Sequence, residues 1–255
     1  MARSGGVATR SRRFATASAG GYRGSAAVSP RLRIVLAWIF AAVGLVVYNW
    51  WVLVPFRPGL MTSPDELFSN LEVSGQPYAA AMQHADLASG LLLVAALLVA
   101  GRGPSGGERR EWLSMLGFAV AGAAGGLFPE VCADAVNAVC RRMEYRLSLP
   151  ASQYVHMVAG ILEFAAITLA LVLAVRRTRE QSTRAAGAYR ALWIGALIGY
   201  PLLGAAYLFD RLGGLMEVVF FIGFTVMVIT CLAERTAAVR AAARVTAPVR
   251  QNCRV

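Results

Sequence analysis

Six apolar runs constrain this chain more than any other feature. A helix needs roughly 20 residues to cross a hydrocarbon core of about 30 Å. Runs of about that length cover residues 34–54, 79–101, 112–128, 154–175, 191–209 and 215–233, and the third and fifth are short or glycine-rich. Of the 255 residues, 57% are hydrophobic and 15% charged, and the mean hydropathy is +0.56. That composition excludes disordered, collagen-like and disulfide-framework classes. The expected fold class is all-α, a polytopic membrane protein built as a six-transmembrane-helix bundle over residues 32–233. Tails of residues 1–31 and 234–255 flank it.

The basic residues set the orientation. All 25 are arginine, and the formal net charge is +11. Twenty arginines fall in the N-terminal tail, the second-to-third and fourth-to-fifth connections and the C-terminal tail. Only four acids, Glu108, Glu111, Glu180 and Glu234, accompany them. The other three connections hold five arginines (Arg57, Arg141, Arg142, Arg146 and Arg211) against seven acids. The positive-inside rule then places both termini in the cytoplasm of a cell-membrane protein. An even number of spans gives the same answer independently. The surplus charge therefore reads as a topology signal rather than a nucleic-acid footprint. Anionic lipid headgroups at the arginine-rich side are the expected partners, and nucleic acid is not.

The first 31 residues are rich in Arg, Ser, Gly and Ala and are expected to be disordered. A secretory signal would need a short apolar core and a small-residue cleavage site. Here the first run continues instead into Tyr48, Trp50 and Trp51. An organelle transit peptide is the competing reading of the arginine-rich, acid-free start. In the first outward connection, Ser63-Pro64-Asp65-Glu66 is a helix-start signal that predicts a short helix over residues 64–71. The next outward connection carries Cys132 and Cys140. Lying together on the oxidising side, they are disulfide candidates, with free thiols or metal ligation as alternatives. No C-x-x-C or histidine pair completes a metal site. Cys231 and Cys253 fall on the cytoplasmic side and are expected to stay reduced.

Ionisable groups within spans are costly and mark functional candidates. Gln83, Asp86 and Gly90 share one face of the second run, with His84 pointing elsewhere. His156, Gly160 and Glu163 share a face of the fourth, and Glu217 lies early in the sixth. All three runs enter from the outside. Asp86, His156, Glu163 and Glu217 then lie within about 15 Å of the outer surface at 1.5 Å per residue. Two readings stand side by side. In one, these groups form a hydrogen-bonded network that fixes packing, with Arg211 or Arg146 as partner. In the other, they are a site for a proton, a metal or a lipid headgroup. No G-x-S-x-G, H-E-x-x-H, P-loop or G-x-G-x-x-G after a strand is present. The run Gly122–Gly126 reads as close helix packing.

Two strings carry a resemblance. One is Ser69-Asn70-Leu71, Gly75-Gln76-Pro77, then Asp86 and Gly90. The other is Phe128-Pro129, Cys132, Cys140, Glu144, Ser148 and His156. Together they resemble the bacterial, often actinobacterial, membrane family known as domain of unknown function 998, over about residues 35–233. The resemblance implies a six-helix integral membrane protein and no established reaction. The family pattern places a second histidine ahead of the one matching His156, and Gln153 stands near that place here. Two functions follow as expectations. The first is a non-enzymatic membrane protein, a small transporter, lipid-binding protein or envelope partner, whose outward polar cluster (Ser69, Asp86, His156, Glu163 and Glu217) binds a headgroup or relays protons. The second is an intramembrane lipid hydrolase or transferase using Asp86, His156 and Glu163, with Ser69 nearby. No cofactor and no metal are expected, and protein partners are not assigned.

Overall fold

The computed structural model describes residues 29–56, 67–102, 105–133, 137–209 and 212–245. Seven helices occur among them: α1 Pro30–Tyr48, α2 Ala79–Ala100, α3 Gly106–Leu127, α4 Ala138–Tyr145, α5 Ala151–Arg177, α6 Arg184–Leu208 and α7 Gly213–Val245. Two 3₁₀ segments, Trp50–Phe56 and Phe68–Glu72, complete the set. No strand occurs among the described residues. Four helices, α1, α2, α5 and α7, are long and apolar enough to cross a membrane. The first two turns of α3, by contrast, carry Glu108, Arg109, Arg110 and Glu111.

Local chemistry explains the boundaries. Ser29 caps α1, its hydroxyl accepting from Leu32 N, and Pro30 occupies the first turn where its missing N–H costs nothing. The first apolar run was expected to stay helical to residue 54. Instead α1 stops at Tyr48, because the Asn49 amide donates to Leu45 O at 2.7 Å and to Thr225 Oγ1 at 3.0 Å. Ser105 and Glu108 form a capping box at the start of α3. The helix expected over residues 64–71 lies partly outside the described residues, and its visible part is the 3₁₀ turn Phe68–Glu72. The sixth run also behaves differently from expectation. Its helix continues past residue 233 to Val245, so the first half of the basic tail is helical. The expectation for residues 1–31 and for Cys253 falls outside the described residues, apart from the capped start of α1.

Two ends of the bundle are defined by their polar contacts. At one, Arg33 Nε donates to Val99 O, and Arg235 Nη1 donates to Gly101 O at 2.9 Å. Arg177, at the end of α5, donates to Glu111 Oε2 at 2.9 Å and, through both terminal nitrogens, to Glu234 at 2.6 Å. Tyr189 Oη adds a hydrogen bond to Glu234. The start of α1, α3 and α6 therefore meets the end of α2, α5 and α7, so successive long helices run in opposite directions. Both ends of the described chain lie at this arginine end.

Packing between these ends is close. A Cβ on Gly126 would approach within 3.0 Å of the Asp86 carbonyl carbon, and one on Gly90 would lie 2.7 Å from Ala119 O. Only glycine lets α2 and α3 approach this far. Phe118, Phe164, Phe220 and Phe224 interlock edge to face between α3, α5 and α7. Outside, Leu32, Val35, Ile39, Val43 and Val46 form an exposed apolar stripe along α1, and Leu215, Val219, Ile222, Val226 and Ile229 form another on α7. Water is a poor solvent for such continuous apolar faces, and lipid is a good one.

Candidate functional site

The site forms at the end of the bundle opposite the arginines. Asp86 of α2, Glu163 of α5 and Glu217 of α7 stand within electrostatic reach of one another. Each is half-buried. Tyr48 Oη, from the last residue of α1, donates to Glu163 Oε1 at 3.4 Å. Trp50 Nε1 donates to Asp86 Oδ1 at 2.8 Å. The backbone N–H of Phe68 donates to Glu217 Oε2 at 2.6 Å. The 3₁₀ turn that supplies Phe68 thus closes over the bundle mouth, with Phe68 and Leu71 buried against Val54 and Met82.

That turn also brings a fourth carboxylate. Glu72 is only 3% exposed, and its carboxyl stands within electrostatic reach of Asp86 and Glu217. Burial, followed by the charge of Asp86, pushes the Glu72 carboxyl well above the usual carboxylate range. Its Oε2 is buried and has no hydrogen-bond partner. Two residues earlier on the same turn, the Asn70 amide is buried with both polar atoms unpartnered. Gln83 Nε2 donates to Glu72 O and fixes the turn to α2.

His156 lies within electrostatic reach of Asp86. Its Nδ1 is 3.1 Å from the carbonyl oxygens of both Gly125 and Phe128. Carbonyls only accept, so Nδ1 carries a hydrogen. Ser69 is part-buried on the 3₁₀ turn, and its hydroxyl takes no part in these bonds. His84 is exposed, away from the cluster. Arg146 is exposed beyond α4, and Arg211 lies outside the described residues. Among the described residues no arginine pairs with Asp86, Glu163 or Glu217. Nor do the described residues include three His, Cys, Asp or Glu side chains placed to hold a metal ion.

Beside the cluster, Cys132 and Cys140 form a disulfide with a Cα–Cα distance of 5.8 Å, while Cys231 is a buried free thiol. Gln153, fully buried, ties this loop down. Its Oε1 accepts from Val131 N at 2.9 Å, and its Nε2 donates to Glu130 Oε1 and Cys132 O, each at 3.3 Å. Gln153 therefore does a structural job here. In the chain-entropy account, closing so small a loop contributes about 2–3 kcal/mol. Cys140→Ser is expected to lower the unfolding midpoint accordingly. Alkylation mass mapping should find Cys132 and Cys140 blocked until the protein is reduced; finding them reactive without reductant contradicts the pairing.

Three members of the site escaped the sequence reading. Tyr48 and Trp50 counted only as the aromatic end of the first apolar run, and Glu72 only among the seven acids of the outward connections. The available signal was Glu72's place immediately after the Ser69-Asn70-Leu71 string. No curated protein and no solved structure matches the chain. The family profile described as "Protein of unknown function (DUF998)" matches residues 40–234, and the chain belongs to that family.

Proposed function

We propose that the chain crosses the cell membrane six times with both termini cytoplasmic, and that its carboxylate cluster is an outward-facing, non-enzymatic site for a proton or another positively charged group. The segregation of Arg33, Arg177 and Arg235 from Asp86, Glu163 and Glu217 supports the orientation. The arginine-rich cytoplasmic segments would also hold anionic headgroups, at roughly 1 kcal/mol per residue near the surface. The single observation that carries the site reading is the burial of the Glu72 carboxyl beside Asp86, with the side chain 3% exposed and its Oε2 unpartnered. An acid pair of this kind stores one exchangeable proton.

The enzymatic alternative needs a nucleophile bonded to a base. His156 Nδ1 faces carbonyls, and no bond joins His156 to Ser69. Binding is the better-supported reading.

Dicyclohexylcarbodiimide reacts with protonated carboxyls in apolar surroundings and tests this directly. It is expected to modify Glu72 or Asp86 in intact membranes at neutral pH, with labelling falling as pH rises. The sign follows from the raised Glu72 pKa. The stability this group contributes is fully present below its ordinary value of 4.5 and is lost as pH rises through the raised one. Glu72→Gln should therefore flatten the fall of stability with rising pH. No labelling of either residue at any pH would defeat the reading.

A further inference from the structure

Resting on that site reading, we propose that the occupant is a primary ammonium group, of the kind carried by an aminophospholipid headgroup or a small free amine. The acceptors outnumber the donors. Glu72, Asp86, Glu163 and Glu217 bring eight carboxylate oxygens, whereas Tyr48, Trp50 and the Phe68 N–H each supply one hydrogen. His156 is the basic side chain within electrostatic reach of Asp86, and its Nδ1 hydrogen is directed to backbone carbonyls. The Glu72 Oε2 atom, on a side chain 3% exposed, is a buried acceptor with no partner. The turn that carries it is bonded to Glu217 through Phe68 N and to Gln83 through Glu72 O, which puts its carboxyl within electrostatic reach of Asp86 and Glu217. A buried acceptor left unpaired costs free energy that a donor from a ligand recovers.

The walls narrow the kind of cation. Trp50 and Trp51 each pack a ring about 6 Å from Phe68, at 6.0 and 6.2 Å, and Trp51 lies 6.3 Å from Phe221. Trp50 and Trp51 remain half-buried, not sealed. Aromatic rings beside carboxylates favour a desolvated organic cation. Hard inorganic cations instead want a shell of oxygen ligands and water. A bare proton, lastly, supplies one donor and leaves most of the eight carboxylate oxygens without one.

The test uses the full-length protein in nanodiscs of equal phosphatidylethanolamine and phosphatidylglycerol, read by native mass spectrometry. In parallel, phosphatidylglycerol-only nanodiscs are titrated with ethylammonium chloride against sodium chloride, read by tryptophan fluorescence. Phosphatidylethanolamine is expected to be retained about tenfold over phosphatidylglycerol, the size of one good cation contact. Glu72→Gln and Glu217→Gln should each reduce the ratio towards unity, the second serving if the first does not fold. A saturable response to ethylammonium without lipid preference assigns the site to a free amine. Equal responses to sodium and ethylammonium with no lipid preference overturn the proposal, as does a preference that both folded variants keep. Carbodiimide labelling that persists in that event would leave the proton-holding cluster standing and remove only the amine.

Discussion

Arg177→Ala is expected to destabilise the protein by about 3–5 kcal/mol, the usual result of stripping one partner from a buried ion pair. Arg177 bridges Glu111 of α3 and Glu234 of α7. The Glu111 side chain is 2% exposed, while those of Arg177 and Glu234 are 20% and 25% exposed. Removing the guanidinium strands the Glu111 charge far more than the Glu234 charge, so most of the loss should come from Glu111. The double variant Arg177→Ala with Glu111→Gln is therefore expected to recover a good part of it. Denaturant unfolding in mild detergent measures both. A loss below about 1 kcal/mol for the single variant would place this network in the class of surface pairs.

Gly126→Leu is the second large effect. The first carbon of any side chain there meets Gln83 O, the Leu87 nitrogen and the Asp86 carbonyl carbon. All three are backbone atoms that cannot swing aside. The helices must separate, at about 1–3 kcal/mol or more for a rigid overpacked contact. Because the contact includes Asp86 itself, the variant should also loosen the Trp50–Asp86 hydrogen bond and shift tryptophan fluorescence. By contrast, a Cβ at Gly125 meets nothing within 4 Å. Gly125→Ala is the matched control and should leave both readouts near those of the parent protein.

Much of the fold was legible because crossing a bilayer would impose a length on apolar runs, and because arginines gather at one end of the bundle. The depth argument likewise singled out Asp86, Glu163 and Glu217, which the fold brings together from α2, α5 and α7. What the sequence hid depended on chain reversals. Asn49 ends α1 by taking the Leu45 carbonyl, which carries Trp50 inward to Asp86. The 3₁₀ turn tucks Glu72 under the loop, a placement no periodicity encodes. Glu111, Arg177 and Glu234 were counted as topology charges, yet helix packing makes them a buried clasp. The amphipathic α4, held by Asn137 and the disulfide, is too short for a hydrophobic-run criterion to find.

Infrared difference spectroscopy on amine-free purified protein tests the proton on the buried Glu72 carboxyl most directly. At neutral pH a protonated carboxyl C=O stretch should be present, absent in Glu72→Gln and shifted in Asp86→Asn. Carboxylates that are all ionised at neutral pH would contradict the account.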